Sequence, residues 1–412
     1  MPRELVTGNH AAGYALAVSG EANREGRGAA CGIYPITPQT EIVEFVAGFP
    51  FTKGRVVAVE SEHSAMAVSM GASLAGARAF TASSSNGLAY MVENIMVAGF
   101  YRLPIVMPAV NRTLGPPWNI WVDQSDTLML RDFPWIQLYC EDNQEVADTV
   151  IQAFRLGEDP RVMLPVLVCL DAFIVSHTQM VTDLPEQALV DRYLPVLELP
   201  HRLDTDHPRT LGGLAWPEQT VALRLEIDEA MDRAGAVFEE SRAAFQEVFG
   251  RDPGDAVQTL GTEDADLVLV TTGTISTTAR EVVRRRREAG EKVGLLKIKM
   301  FRPFPVEAVR RACRNASKVG VLDRNYAAGV GGVFWHDLRA TFQGRRDDLL
   351  LQDYLTGVGG GDVTPAMIER VIDDLAGRER MGRPLWMELE MSKEAEVSDP
   401  EEAGAALEEA TA

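Results

Sequence analysis

Two acidic side chains lie where a predicted strand gives way to a predicted helix. Glu60 ends the apolar segment 55–60, and Glu62 begins a helix that Ser61 can cap. Ligands of open α/β sheets bind at the carboxyl ends of strands, so a carboxylate here is placed to exchange a proton with a ligand. The structural alternative is a carboxylate that complements the helix dipole. His63 is better explained as a capping or packing residue than as a base.

A second polar residue, Thr37, follows the predicted strand 28–33. Pro35 and Pro38 bracket it and stiffen the loop. A stiff loop loses little conformational entropy when it binds, so Thr37 is a candidate ligand-binding residue. The structural alternative is a turn in which Thr37 or Thr40 caps the next helix.

A third segment, residues 81–87, is a serine-rich loop with a glycine at its end. It lies between an apolar strand and a helix, where backbone N–H groups can face a polar ligand. A plain helix start explains the same residues. The candidate ligand-binding side chains in this loop are Ser84, Ser85 and Asn86.

Arg112 comes directly after the predicted strand 103–110. A planar guanidinium matches a carboxylate group through paired hydrogen bonds, so this position is suited to an acidic substrate. The structural alternative is an ion pair between Arg112 and Asp123 or Asp126.

These segments need a sheet to bring them together, and the first 180 or so residues alternate apolar strands with helical stretches. That alternation predicts an α/β fold with a parallel sheet covered by helices. The predicted organisation is a domain at 1–250, with an irregular excursion at 183–217 that wraps another surface and a helix at 218–249, then a linker at 251–264, a second α/β domain at 265–391 and an acidic disordered tail at 392–412.

Composition excludes several classes of protein. The chain has 412 residues and a net charge of −20, which disfavours nucleic acid and anionic membranes as partners. No apolar run reaches the ~18 residues that cross a bilayer, and no signal peptide is apparent, so a cytoplasmic location is expected. The cysteines lack CxxC spacing, which predicts no disulfide and no iron–sulfur cluster on this chain; they are Cys31, Cys140, Cys169 and Cys313.

In their order along the chain, these segments resemble the pyrimidine-binding domain of the pyruvate:ferredoxin (2-oxoacid:ferredoxin) oxidoreductases. The matching stretches are YPITP, ESEHSAMAVSMGAS, TASSSNGLAYMVENI and VNRTLGPPWNIWVDQSD. LLKIKMFRPFPVEAVR and VLDRN resemble the next domain of the same family. The resemblance covers about residues 5–375. It implies an alpha subunit in which a thiamine-diphosphate pyrimidine domain precedes a smaller domain like the transketolase C-terminal domain.

The resemblance also implies roles for single residues. Glu62 should hydrogen-bond N1′ of the cofactor's aminopyrimidine and thereby promote removal of the thiazolium C2 proton, with Glu60 as second choice. Thr37 and Arg112 should contact the carbonyl and carboxylate of the substrate. The other residues assigned to the cofactor are Pro35, Ser84, Ser85 and Asn86.

Thiamine-diphosphate enzymes usually bind the diphosphate through Mg²⁺ with a Gly-Asp-Gly sequence and a following Asn. This sequence has none; Gly361-Asp362 leads instead into Thr364-Pro365, an ordinary helix start. We therefore expect no metal ligands here and a beta subunit that carries the diphosphate, Mg²⁺ and cluster ligands. Gamma and ferredoxin-like delta subunits are further expected partners, and this chain alone should be inactive.

The implied reaction is the coenzyme A-dependent oxidative decarboxylation of pyruvate to acetyl-CoA and CO₂, reversible, with electrons passed to ferredoxin or flavodoxin. Pyruvate is favoured because residues 111–112 and 118–121 look most like the pyruvate enzymes. Alternative substrates are 2-oxoglutarate, a branched-chain 2-oxoacid and oxalate, although the neutral Thr37 disfavours oxalate. A non-catalytic assembly subunit is the remaining alternative.

Overall fold

A computed structural model describes residues 3–398 of the chain. Along the chain the strands are β1 (Arg3–Thr7), β2 (Ala29–Ile33), β3 (Gly54–Ala58), β4 (Arg78–Phe80), β5 (Val106–Asn111), β6 (Ile136–Cys140), β7 (Val166–Asp171), β8 (Gln179–Asp183), β9 (Val257–Leu260), β10 (Leu267–Thr271), β11 (Val293–Ile298), β12 (Met300–Arg302), β13 (Lys318–Asp323), β14 (Leu350–Leu355) and β15 (Leu385–Trp386). The helices are α1 (Gly8–Glu21), α2 (Thr40–Gly48), α3 (Glu62–Leu74), α4 (Ser85–Tyr90), α5 (Val92–Phe100), α6 (Ser125–Leu128), α7 (Asn143–Gly157), α8 (Gln187–Tyr193), α9 (Pro217–Phe249), α10 (Ile275–Glu288), α11 (Val306–Ala312), α12 (Val333–Phe342), α13 (Pro365–Gly377) and α14 (Met387–Ser398).

The chain forms two compact units, and each unit is made of several separate segments of the sequence. The first unit runs to Gln258 and also includes Thr272–Thr274 and Ile298–Val306. The second comprises Thr259–Thr271, Ile275–Lys297 and the residues from Glu307 onward. The α/β fold predicted from the sequence is confirmed in both units.

The first unit is built on a seven-stranded sheet in the order β12-β6-β7-β5-β4-β2-β3. Its neighbours from β6 to β3 pair in parallel, and only β12 pairs antiparallel, with β6. The central strands β5 and β7 are buried along their whole length, as expected of strands with helices on both faces. Parallel order places the carboxyl ends of β2, β4, β5 and β7 next to each other along one edge of the sheet.

Helix α3 packs directly on β2 because small residues lie between them. A Cβ atom on Gly32 would be only 2.1 Å from the carbonyl oxygen of Ala65, so glycine alone permits this approach. The helix begins at Glu62 because Ser61 is extended and its side chain accepts a hydrogen bond from Ser64 N at 3.2 Å. These contacts fix the position of the first turn of α3 relative to the sheet.

The second unit has a six-stranded sheet in the order β15-β14-β13-β10-β11-β9. Strand β10 lies between β11 and β13 and pairs in parallel with both. Helices α10 and α13 contribute its apolar core, which includes Val282, Ile368 and Leu375, all completely buried.

Several segments depart from the predicted organisation. Helix α8 lies inside the excursion predicted at 183–217, and β9 lies inside the predicted linker. Strand β12 comes directly after β11, yet it joins the sheet of the first unit. Helix α14 extends over residues 392–398, where a disordered tail was predicted; residues 399–412 lie outside the described residues. In the part of the chain that is described, no helix is both long and apolar enough to cross a membrane.

Candidate active site

Glu62 lies on the first turn of α3 with its side chain turned inward. It is only 8% exposed. Among residues 3–398 its carboxylate has no hydrogen-bonding or ion-pair partner. Burying a carboxylate without a partner is costly, so a side chain kept in this state is suited to bind a group that the chain itself does not supply.

Gly87 allows the backbone of α4 to lie close to this carboxylate. A Cβ atom at that position would lie 2.8 Å from Glu62 Oε1 and 2.6 Å from Ser83 Oγ. Ser83 is completely buried, and its hydroxyl has no hydrogen-bond partner in the part of the chain that the structure describes. The backbone at Gly87 therefore lies against these two polar groups, and any larger residue there would displace them. Sequence reasoning missed Ser83, because nothing in a run of three serines indicates which hydroxyl lacks a partner.

Glu60 has a different environment, although it is only two residues away. Its side chain is exposed, and Oε1 accepts a hydrogen bond from Ser64 Oγ at 2.6 Å. This hydrogen bond lowers the pKa of Glu60. His63 is half-exposed and lies 3.7 Å from Glu93, so it faces the surface of α3.

The hydroxyls of Ser84 and Ser85 are buried and bonded to the chain itself. Ser84 Oγ donates to the carbonyl of Val110 at 2.7 Å, and Ser85 Oγ donates to the carbonyl of Thr113 at 2.6 Å. Asn86 is half-buried, and its Oδ1 accepts from Ser85 Oγ at 3.2 Å. These bonds join the loop after β4 to the end of β5. Direct contact of these three residues with a cofactor stays a prediction.

The buried side chain of Asp126 also links the loop after β4 to the end of β5. It is completely buried, and its carboxylate accepts hydrogen bonds from the backbone amides of Ser85 (2.8 Å) and Arg112 (3.0 Å) and from Asn111 Nδ2 (2.8 Å). The amide of Thr127 donates a fourth at 2.8 Å. Burial raises the pKa of Asp126 to about 7, while the donated hydrogen bonds oppose the rise. The sequence suggested Asp126 only as a partner for the arginine side chain.

Arg112 does not form the alternative ion pair with Asp123 or Asp126. Its guanidinium donates instead to two backbone carbonyls, with Nη1 2.8 Å from Thr37 O and Nε 3.0 Å from Asn119 O. Within the described residues, no carboxylate lies within ion-pair distance of it. Partial burial lowers the pKa of Arg112. The side chain is thus oriented by the backbone while its charge remains available to an acidic ligand.

The loop that carries Thr37 is held from two sides. Asn9 Nδ2 donates to the carbonyl of Pro38 at 2.6 Å, and Gln39 Nε2 donates to the carbonyl of Ala82 at 2.7 Å. The side chains of Pro35 and Thr37 are exposed. Loops after β2, β4 and β5 are therefore linked by hydrogen bonds, and this network includes the surroundings of Thr37, Glu62 and Arg112.

The described residues hold no group of three or more His, Cys, Asp or Glu side chains that could bind a metal ion. All four cysteines are buried and free. Burial raises the pKa of the Cys31 and Cys169 thiols, which disfavours the thiolate form that binds metals.

An α/β sheet with an unpaired acidic side chain and an oriented arginine at its carboxyl edge defines a ligand-binding enzyme subunit. Residues 22–243 match the family described as pyruvate flavodoxin/ferredoxin oxidoreductase, thiamine diphosphate-binding. Residues 265–368 match the pyruvate:ferredoxin oxidoreductase core domain II. The chain belongs to the pyruvate:ferredoxin oxidoreductase family, and residues 22–243 form its thiamine-diphosphate-binding domain.

Curated relatives support this membership. Pyruvate synthase subunit PorA of Methanothermobacter thermautotrophicus is 43% identical over 351 residues, which cover 84% of this chain and 90% of the relative. Ketoisovalerate oxidoreductase subunit VorA of Pyrococcus horikoshii is 39% identical over 378 residues, covering 90% of this chain and 93% of the relative.

Solved structures share the fold. The 2-oxoglutarate:ferredoxin oxidoreductase from Magnetococcus marinus matches with a TM-score of 0.70 at 22% identity; 90% of this chain is covered, and this chain spans 65% of that chain's length. A split-gene transketolase, described as an inactive beta4 tetramer, matches with a TM-score of 0.56 at 13% identity over 92% of this chain and 100% of that one.

The residues around Glu62 fit the aminopyrimidine half of thiamine diphosphate. Among the described residues, the buried Glu62 carboxylate and the buried Ser83 hydroxyl have no hydrogen-bond partner, and both can bond the polar nitrogens of such a ring.

Proposed function

We propose that this chain is the catalytic alpha subunit of a pyruvate:ferredoxin oxidoreductase. The observation that carries the proposal is Glu62, a buried carboxylate without a partner in the described chain, at the start of a helix on the carboxyl edge of the sheet. The proposed reaction is the coenzyme A-dependent oxidative decarboxylation of pyruvate to acetyl-CoA and CO₂.

Thiamine diphosphate supplies the carbon nucleophile and the electron sink when it is bound. Glu62 bonds the pyrimidine nitrogen N1′ and shares a proton with it, a task that needs a buried acid with no competing partner. Ser83 is the other polar group beside Gly87, and we propose Asn86 and Pro35 as further residues that contact the cofactor. We propose that Ser84 and Ser85 act chiefly through the backbone geometry that their hydroxyls fix.

Arg112 and Thr37 bind the 2-oxoacid in this proposal. The guanidinium of Arg112 is oriented by Thr37 O and Asn119 O and has no carboxylate partner among the described residues, so it can pair with the carboxylate of the substrate. Pyruvate is the proposed substrate because several relatives carry the name pyruvate synthase subunit. A branched-chain 2-oxoacid is the second candidate, because other relatives are named ketoisovalerate oxidoreductase subunits.

The proposed partners follow from what the chain lacks. A beta subunit supplies the ligands for the diphosphate, Mg²⁺ and an iron–sulfur cluster, and gamma and delta subunits complete a complex that reduces ferredoxin or flavodoxin. The edge of the first sheet is suited to such a partner. Strand β3 is the terminal strand, and four of its five residues are exposed.

Reconstitution of the complex tests the proposal. The purified chain and its partner subunits are mixed, and dye reduction is followed with coenzyme A and each of pyruvate, 3-methyl-2-oxobutanoate, 2-oxoglutarate and oxalate. We expect the highest kcat/KM with pyruvate and no turnover when this chain is omitted. Undiminished turnover without it would indicate an assembly subunit, and a higher kcat/KM for another 2-oxoacid would replace the proposed substrate.

A further inference from the structure

The second unit contains a cavity of about 310 Å³ whose lining is strongly cationic. Four arginines and one glutamate contribute to it, together with one aromatic ring. The lining residues are Glu307, Arg310, Arg314, Phe342, Arg345 and Arg346. Such a concentration of positive charge is unexpected in a chain with a net charge of −20.

Two of these guanidinium groups are fixed in place by the backbone. Arg310 donates from Nε (3.0 Å) and Nη2 (2.9 Å) to the carbonyl of Thr341. Arg346 donates to the carbonyl of Ala316 at 2.7 Å and to that of Arg314 at 2.9 Å. Hydrogen bonds to neutral carbonyls orient a guanidinium without cancelling its charge, so a ligand meets groups whose side-chain entropy is already lost.

Carboxylates compensate this charge only in part. Arg310 pairs with Glu307 at 2.7 Å, and Arg346 pairs with Asp348 at 3.0 Å. Arg314 and Arg345 are exposed and, in the portion of the chain described, have no carboxylate within ion-pair distance.

The basic run on α10 in the same unit provides a contrast. Arg284 pairs with Glu281, Arg286 with Glu291 and Asp373, and Arg287 with Asp264, at distances between 2.8 and 3.1 Å. Arginines on that helix are therefore neutralised by the fold itself. In the cavity, by contrast, two of the four arginines, Arg314 and Arg345, have no carboxylate partner among the described residues.

We propose that this cavity binds a small molecule through its diphosphate group. Several guanidinium groups converging from different segments match the oxygens of phosphates, which each accept charged hydrogen bonds in pairs. The volume lies at the lower end of the ~300–1,000 Å³ typical of ligand sites, enough for a diphosphate with little of its substituent enclosed. No residue of this cavity takes part in the proposed decarboxylation, so the site is separate from that chemistry.

Calorimetric titration of the full-length chain with inorganic diphosphate, without Mg²⁺, tests the proposal. Arg314→Ala combined with Arg345→Ala should weaken binding ~10-fold or more, the size expected when charged hydrogen bonds are lost. Both residues are exposed and unpaired, so the unfolding temperature should stay that of the wild type. The matched control is Arg311→Ala, an exposed arginine of α11 outside the cavity lining, which should bind diphosphate within about twofold of the wild type.

Titrations with ADP and adenosine distinguish the sources of the diphosphate. Tighter binding of ADP than of inorganic diphosphate identifies a nucleotide, and equal binding identifies the diphosphate group alone; adenosine should not bind in either case. Absence of diphosphate and ADP binding in the wild type, or equal binding by the double variant and the wild type, would overturn the proposal.

Discussion

Two carboxylates, Glu60 and Glu62, are separated by a single residue and differ in almost every property that matters for proton transfer. Glu60 is exposed, and its pKa is lowered by the Ser64 hydroxyl. Glu62 is buried and has no such partner in the described chain. The difference arises because Ser61 ends the extended segment and the first turn of α3 directs Glu62 towards Gly87.

At Arg112 the planar shape of the guanidinium matters as much as its charge. Arg112→Lys retains the charge but cannot donate to Thr37 O and Asn119 O while it binds a carboxylate. We expect KM for the 2-oxoacid to rise by ~10-fold or more, about 1.4 kcal/mol, with thiamine diphosphate affinity nearly unchanged. Arg102→Lys is the matched control, because Arg102 is also partly buried and donates to a carbonyl, that of Val162. An unchanged KM in Arg112→Lys would show that this arginine has only a structural role and does not bind the substrate.

The close approach of Gly87 to Glu62 can be tested by adding a single methyl group. Gly87→Ala places a methyl group within 3 Å of Glu62 Oε1 and Ser83 Oγ, and alanine is otherwise well tolerated in a helix. We expect thiamine diphosphate affinity of the assembled complex, measured by calorimetry, to fall ~10-fold or more, the cost of displacing well-packed groups. Gly71→Ala, where no atom lies within 4 Å of the new methyl group, should bind as the wild type does. Normal affinity in Gly87→Ala would place the ring elsewhere.

At the scale of elements, the residues that end strands and begin helices were the predictable part of the fold. Apolar runs gave β2, β5 and β7 to within a few residues, and Ser61 marked the start of α3. What the sequence could not show was which sheet a short strand joins: Met300–Arg302 follows β11 by one residue but pairs with β6. The role of Asp126 was also hidden, because a carboxylate that accepts backbone N–H groups from distant loops has no local sequence pattern.

Strand β13 ends in the buried Asp323, and the neighbouring strand β14 contains the buried Asp353; the two carboxylates repel each other. Asp323 accepts the amides of Phe334 and Trp335 at the start of α12, and Asp353 accepts the amide of Gly332 at 2.7 Å. Burial raises the pKa of Asp353 to about 6, and burial with the nearby Asp353 raises the pKa of Asp323 well above its usual range. An ordinary aspartate in the unfolded chain has a pKa of about 3.9, so the folded state holds this proton more tightly. The stability that the protonated Asp353 carboxyl contributes to the fold is present below about pH 4 and is lost as the pH rises through about 6.

Asp353→Asn removes that pH dependence. The difference in opening free energy, variant minus wild type, should increase by about 1–2 kcal/mol as the pH is raised from 5 to 8. Hydrogen–deuterium exchange of peptides covering β13 and β14, corrected for intrinsic rates, measures this. Asp362→Asn, which changes an exposed carboxylate of the same unit, should show no such trend. A constant difference between Asp353→Asn and the wild type across this range would contradict the raised pKa.

At the scale of the whole molecule, the chain holds one half of the proposed cofactor site. Family membership and the α/β fold were predictable because the motifs after β2, β3, β4 and β5 occur in a fixed order. The partner chains are not predictable to the same depth, since the described residues show only what is missing, namely a grouping of metal ligands.

Because the described residues contain no grouping of metal ligands, we predict the metal content of the purified chain. The purified chain alone should contain no stoichiometric iron and no tightly bound divalent metal, because its four cysteines are buried and lack the close sequence spacing of cluster ligands. Elemental analysis by mass spectrometry and the visible absorption spectrum measure this directly. A brown preparation with iron in a whole-number ratio to the chain would contradict the proposed division of ligands among subunits.

The most direct test of the central claim is exchange of the thiamine diphosphate C2 proton with deuterated water in the assembled complex, without substrate. Glu62→Gln preserves the size of the side chain, and the helix dipole interaction it forgoes amounts to only ~0.3–1 kcal/mol, so the complex should assemble. The amide cannot share a proton with N1′, and exchange should slow by ~100-fold or more. Glu60→Gln should exchange at the wild-type rate. Wild-type exchange in Glu62→Gln, or slow exchange in Glu60→Gln alone, would contradict the role proposed for Glu62.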